Sequence, residues 1–171
     1  MRGLLTGPLV GLALVVALSG CSGDDEPEVK TLPEVTLVGF DSEEKVDLAT
    51  LKGPLVVNLW ASYCGPCRRE LPVLEAFEQQ HGEQVAMLGI NYQETMPDKA
   101  EKLIADSGVT YDLLSDPGAE VSASSPFPVI KGMPFVALVD ADGLVAHMEF
   151  GVIESVAELE ELVEAHLEVR L

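Results

Sequence analysis

Two cysteines, Cys64 and Cys67, enclose the dipeptide Gly65-Pro66 at the point where an apolar stretch gives way to an amphipathic one. A thiol at the start of a helix meets unpaired backbone N–H groups and the positive end of the helix dipole, and both favour thiolate over thiol. The i, i+3 spacing puts both sulfurs on one side of the first turn, within reach of a disulfide. Pro66 removes no helical hydrogen bond in that turn and fixes φ there. The chemistry such a pair supports is dithiol–disulfide exchange. Cys64, at the helix tip, is expected to be the nucleophile, and Cys67, one turn inward, the residue that resolves a mixed disulfide. Two other readings compete. A structural zinc site needs two further ligands, and His81, His147 and His166 show no ligand spacing. A purely structural disulfide would need neither Gly-Pro between its cysteines nor a helix N-terminus beneath them.

The elements that must hold this pair are legible around it. Residues 55–60, Leu-Val-Val-Asn-Leu-Trp, form a continuous apolar run, the pattern of a strand buried on both faces. Residues 66–81 carry Leu71, Leu74 and Phe77 among Glu and Gln, which predicts an amphipathic helix that Gly82 stops. Two short strands are expected at 35–40 and 45–47, around an Asp-Ser-Glu-Glu turn, and a second buried strand at 85–91. A helix follows over 97–107, ended by Gly108, then a short strand at 111–114 and a helical turn near 118–124. Strands at 135–139 and 145–150 flank Asp140-Ala141-Asp142-Gly143, where Asp-Gly signals a hairpin turn. An acidic helix over 155–168 closes the chain. Crossover helices together with a terminal hairpin imply an α/β fold with a mixed central sheet covered by helices.

Composition narrows the partners. The chain has 171 residues, 47% of them hydrophobic, which suits one compact domain and excludes general disorder. Ten Lys and Arg against 29 Asp and Glu give a net charge of −19. Such a chain is repelled by a phosphate backbone, so nucleic-acid binding is excluded, and anionic lipid headgroups repel it as well. Any membrane attachment must then be hydrophobic or covalent. The N-terminus offers both. Arg2 precedes an apolar stretch over residues 4–18, and Leu18-Ser19-Gly20-Cys21 follows. The first two parts read as a secretory signal. The tetrapeptide resembles the lipobox of bacterial lipoproteins, in which the cysteine is acylated and becomes the mature N-terminus. Residues 1–20 are therefore expected to be a lipoprotein signal peptide and Cys21 the lipidation site. Residues 21–33, rich in Asp, Glu and Pro, read as a hydrated tether, and 34–171 as the folded domain. Under this reading the domain lies on the extracytoplasmic face of the cell membrane.

The segment VVNLWASYCGPCRRELP, residues 56–72, together with Gly132-Met133-Pro134 and the Asp-Ala-Asp-Gly hairpin, resembles thioredoxin-fold proteins. More narrowly, it resembles the TlpA/ResA branch of membrane-tethered thiol-disulfide oxidoreductases. The resemblance extends from about Leu32 to Leu167 and includes the N-terminal β-hairpin and a central insert near residues 92–118. It implies a thioredoxin-like fold in which Pro134 is a cis-proline beside the cysteine pair. The backbone of Met133 would then pair with an incoming cysteine-bearing strand. Glu70 stands at the position of a family glutamate that influences cysteine ionisation. A buried carboxylate there would have a raised pKa and, when charged, would oppose thiolate formation. The same glutamate would also suit a first helical turn for its favourable dipole interaction alone. Trp60, Gly65 and Pro66 are expected beside the substrate. Asn58 stands where thioredoxins proper carry a buried Asp, which removes that proton relay. Tyr63 and Phe135 depart from the residues usual before the first cysteine and after the cis-proline, and are expected to alter the substrate-facing surface.

By this resemblance the cofactor is the Cys64–Cys67 pair itself, with no metal. The partners are cysteine-containing extracytoplasmic proteins, with apocytochrome c as an implied substrate, and a membrane thiol-relay protein supplies electrons. Gly65-Pro66 is the dipeptide of reducing thioredoxins and leans the reading toward a reductant. An oxidase that donates its disulfide to secreted proteins is the enzymatic alternative. A copper or haem chaperone is the non-enzymatic one, although copper carriers of this fold add a histidine near the cysteines that is absent here.

Overall fold

The computed structural model describes residues 30–171. The apolar run is β3 (Leu55–Trp60), with all six residues buried. It lies parallel to β4 (Ala86–Tyr92) and antiparallel to β6 (Phe135–Val139). The hairpin of β1 (Thr36–Gly39) and β2 (Lys45–Asp47) joins the sheet through β5 (Asp112–Asp116), which runs antiparallel to β1 and parallel to β4. At the other edge β7 (Val145–Phe150) folds back on β6 after the Asp140–Gly143 turn. The result is a seven-stranded mixed sheet in the order β2-β1-β5-β4-β3-β6-β7. This is the thioredoxin-like α/β architecture that the sequence implied, N-terminal hairpin included. The central insert supplies β5, the strand that carries the hairpin.

Three helices, α1 (Gly65–His81), α2 (Pro97–Ser107) and α3 (Val156–His166), pack on one face, with α1 touching both others. Leu74 and Phe77 of α1 meet Val56, Val136 and Leu138 of the sheet and Leu159 and Val163 of α3. The ends obey local chemistry. Ser155 caps α3 by accepting from the Glu158 N–H at 3.2 Å. Gly108 ends α2 at φ 69°, a left-handed conformation that lets its N–H turn back to the last carbonyls. The opposite sheet face has no long helix among the described residues. There Val57, Leu59, Ile90 and Ala137 are covered by Leu32, Leu48, Val121 and Phe127 from coil and turns.

Three differences from the sequence expectations lie on that coil face. First, the folded chain begins before residue 34. Thr31 bridges Leu144, the Lys30 carbonyl accepts from the Val145 N–H at 2.8 Å, and Leu32 is 1% exposed. The acidic, proline-rich composition hides one leucine that the core needs. Secondly, residues 118–124 form separate hydrogen-bonded turns in place of the expected helical turn. Ala119 and Ala123 both sit at φ 59°, and the buried Asp116 carboxylate takes the N–H groups of Glu120 and Val121. Thirdly, a short 3-10 turn, Leu48–Thr50, follows β2, capped by the Asp47 carboxylate, and buries Leu48. The signal peptide, Cys21 and most of the expected tether lie outside the described residues. Within those residues no helix is long and apolar enough to cross a membrane.

Leu32→Ala should lower the free energy of unfolding by about 2–5 kcal/mol, the cost of emptying a core leucine site. Urea unfolding measures it. An unchanged midpoint would show that residues 30–33 are not part of the cooperative unit.

Candidate active site

Because β3 is buried on both faces and stops at Trp60, the chain leaves the sheet through Ala61, Ser62 and Tyr63 and enters α1 at once. Cys64 is the N-cap residue of that helix, with extended backbone (φ −79°, ψ 105°). Its N–H donates to the Ala61 carbonyl at 3.1 Å, and its Sγ accepts from the Cys67 N–H at 3.1 Å. Cys64 and Cys67 form a disulfide with Cα atoms 5.3 Å apart. Cys64 is 8% exposed and lines the neighbouring cleft, whereas Cys67 is fully buried. The same N–H that meets Cys64 Sγ here would donate to a Cys64 thiolate in the reduced pair, next to the positive end of the helix dipole.

Beside the disulfide, the Met133–Pro134 peptide bond is cis. Pro134 is buried and Met133 half-buried. A cleft of about 330 Å³ opens there, lined by Tyr63, Cys64, Pro66, Tyr92, Gln93, Ile130, Lys131, Gly132 and Met133. Thus the first cysteine, the proline between the cysteines and the residue preceding the cis-proline share one surface. Gly65 is half-buried between them.

Residues 27–163 match the model of the family described as Redoxin. The chain belongs to the Redoxin family. Among similar proteins, the thioredoxin-like protein YneN of Bacillus subtilis is 37% identical over 73 residues, 42% of each chain. The thiol:disulfide interchange protein HelX of Rhodobacter capsulatus is 32% identical over 117 residues, 67% of this chain and 62% of that protein. The chain thus spans less than two thirds of either of these two relatives. It spans 72% of the thiol:disulfide interchange protein DsbE of Allochromatium vinosum, at 32% identity over 136 residues, 78% of this chain. A crystal structure of a DsbF homologue from Corynebacterium diphtheriae superposes with a TM-score of 0.71 at 23% identity, covering 91% of this chain and 99% of that one. That likeness establishes the thioredoxin-like fold.

This Redoxin chain corrects three expectations about its own site. Trp60, expected beside the substrate, is fully buried. It packs beneath the cysteine pair with Ala61, Leu71 and Ala100, with its ring 5.7 Å from Phe40, and so supports the site without facing a partner. Gly89 makes room for it: a side chain there would begin 3.1 Å from Trp60 Nε1 and 3.2 Å from the Tyr111 ring. Phe135 is likewise buried, at 1% exposure, because its side chain points to the coil face, where it meets Phe127 and Phe150. Tyr63, by contrast, is 44% exposed on the cleft rim, and its hydroxyl donates to the Gln93 carbonyl at 3.3 Å. Glu70 lies beyond the first turn of α1, so the dipole does not account for it.

Glu70 is 1% exposed. It sits three residues after Cys67, on the same side of the helix. Its Oε2 accepts from Asn58 Nδ2 at 3.0 Å and its Oε1 from the Ile153 N–H at 2.8 Å. Burial lifts its pKa from 4.5 to about 7; the two hydrogen bonds oppose the rise and Glu158 adds to it. A second carboxylate escaped the sequence reading. Glu94, after β4, accepts from the Ser62 N–H at 2.7 Å and the Ser62 hydroxyl at 3.0 Å, and also from the N–H groups of Thr95 and Met96. It ties the loop before Cys64 to the start of α2, whose N-cap Met96 has no capping side chain. Burial pushes its pKa up, but these hydrogen bonds outweigh that and hold it below the ordinary value. No local spacing signals Glu94; only its Glu-Thr-Met-Pro position at a helix start hints at capping.

Folding raises the Glu70 pKa, so the folded state takes up a proton between about pH 4.5 and 7. The associated stability is complete below about pH 4.5 and is lost as pH rises through 7. Relative to Glu70→Gln, the wild-type protein should therefore lose about 3 kcal/mol between pH 4.5 and 8. Urea unfolding of both proteins across that range checks it. A pH-independent difference would show that Glu70 ionises as a surface carboxylate does.

Proposed function

We propose that this chain is an extracytoplasmic thiol-disulfide oxidoreductase that exchanges its Cys64–Cys67 pair with the cysteines of other proteins, working as a reductant. The observation that carries the proposal is the shared cleft, in which Cys64 at the helix tip meets the cis Met133–Pro134 edge. The names of HelX and DsbE, both thiol:disulfide interchange proteins, support the reaction class.

In the forward direction the Cys64 thiolate attacks one sulfur of a substrate disulfide. A Cys64–substrate disulfide forms, and the second substrate sulfur leaves as thiolate. Cys67, deprotonated, attacks Cys64 Sγ, forms the Cys64–Cys67 disulfide and expels the first substrate sulfur as thiolate. Two electrons pass to the substrate, and its two sulfurs end as thiols once each has taken a proton. Gly65-Pro66 supports this direction. Cys67 is fully buried, and Glu70, one turn along α1, is the nearby buried group whose pKa lies close to neutrality. Glu70 ionised would also hold Cys67 in its thiol form, so the pair's ionisation should follow that of Glu70. The Met133 backbone would align the incoming segment as an added strand.

The finer assignments rest on the resemblance to the TlpA/ResA branch. They are lipid anchorage at Cys21 to the outer face of the cell membrane, cysteines of apocytochrome c as substrate, and a membrane thiol-relay protein as electron donor. Cys64→Ser should abolish insulin-disulfide reduction while leaving the fold intact, and Cys67→Ala should accumulate a mixed disulfide whose partner identifies the substrate. The pair's reduction potential should lie near about −270 mV. A value near about −120 mV would reverse the direction, and full activity of Cys64→Ser would defeat the proposal.

A further inference from the structure

The rim of the cysteine cleft carries charge opposite to that of the chain as a whole. Among 29 acidic and 10 basic residues, three of the basic ones, Arg68, Arg69 and Lys131, stand at this site. Arg69 Nη1 donates to the Gly65 carbonyl at 3.3 Å. Arg68 Nη2 lies 4.0 Å from where a side chain on Gly65 would begin. Lys131 lines the cleft with Cys64 and Met133. Cations thus flank the pair on the helix side and on the cis-proline side, and all three are exposed. Among the described residues none of them is ion-paired.

The carboxylates near the pair offset them only in part: the charge of Glu94 reaches Tyr63 on the cleft rim. Among the described residues no Asp or Glu lines the cleft. Glu94 is turned toward the N–H groups of Ser62, Thr95 and Met96, and Glu70 is buried beneath Cys67. A visiting segment therefore meets the Tyr63 ring, the Met133 edge and Lys131 in the cleft, with Arg68 and Arg69 exposed on the adjoining first turn of α1.

We infer that this rim selects extended substrate segments that carry aspartate or glutamate beside the reacting cysteine. The inference rests on the reading of Cys64–Cys67 as an exchange site and adds the chemical class of segment it prefers. Exposed ion pairs are individually weak, so the selection is a preference and not a gate. It also acts only at close range, because the acidic remainder of the chain repels an acidic partner at a distance and favours one whose carboxylates are confined to the neighbourhood of its cysteine.

The test uses three synthetic peptides, each closed by one disulfide and differing only in the flanking residues: glutamate, serine or lysine. Rates of reduction by the reduced protein are divided by the rate of dithiothreitol with the same peptide, which removes each disulfide's own reactivity. The glutamate peptide should exceed the lysine peptide by about three- to tenfold at low salt, and the ratio should fall toward one as salt is raised. Arg68→Glu and Lys131→Glu, both surface changes, should each lower the ratio, and together they should invert it. A change in Cys64 reactivity alone would scale all three rates and leave the ratio untouched. Equal rates in the wild-type protein, or a glutamate preference that survives both charge reversals, would overturn the inference. Failure to reduce any peptide would overturn the exchange reading itself and this inference with it.

Discussion

The site depends on a strand with no solvent face. β3 is enclosed laterally by β4 and β6, and on its two faces by α1 and the coil layer, so none of its six residues can reach water. Alternation along such a strand still matters. Val56, Asn58 and Trp60 face the helices, whereas Val57 and Leu59 face the coil. The helix-facing set delivers, in order, a packing residue, an amide for Glu70 and an indole beneath the cysteines. Where the strand ends the helix must begin, and the N-cap position falls on Cys64. The sulfur's placement is thus a consequence of how the core terminates.

The Asn58–Glu70 pair brings a titrating group into the core directly beneath the cysteines. Only one half of the Asn58 amide is used: Nδ2 donates to Glu70, and Oδ1 has no partner. Rotation of the amide would turn Oδ1 toward Glu70, where it could accept from the protonated acid. Asn58 therefore suits both ionisation states, which an aspartate in its place would not, since two buried carboxylates at hydrogen-bonding distance cannot both be charged. This gives a physical reason for an amide at a position deep in the strand. It also puts the buried carboxylate nearest Cys67 on the helix side and not on the strand.

What could be read from the sequence was what local pattern determines. The six-residue apolar run, the Gly65-Pro66 start of α1, the Gly108 stop of α2 and the Asp-Gly hairpin each reflect constraints within a few residues, and the structure bears them out. Resemblance located the cis bond at Met133–Pro134. What escaped depends on contacts across long separations or on side-chain direction. Glu94 reaches Ser62 across 32 residues, a relation no spacing encodes. Leu32 joins the core only because Val121 and Phe127 come round to meet it on a face without helices. The resemblance implies Trp60 beside the substrate and Phe135 on the substrate-facing surface, each near Cys64 or Pro134 in the sequence. In strands buried on both faces, that nearness does not say whether a ring points to the cleft or into the core.

The excess of acid remains to be reconciled with the proposed exchange reaction, which works through an anion. A chain of net charge −19 should disfavour a thiolate if its field acted uniformly. It does not, because screening limits exposed charges to about 8 Å at physiological ionic strength, whereas the groups that stabilise Cys64 touch it. The Cys67 N–H lies 3.1 Å from its sulfur, the helix dipole begins there, and Arg69 reaches the Gly65 carbonyl beside it. Many of the acidic side chains lie elsewhere; on α3, Glu158, Glu160, Glu161 and Glu164 occupy the helix outside its apolar stripe, and Glu160 meets His81 at 2.7 Å. Local geometry therefore sets the chemistry of the pair, while the global charge governs which surfaces can approach it.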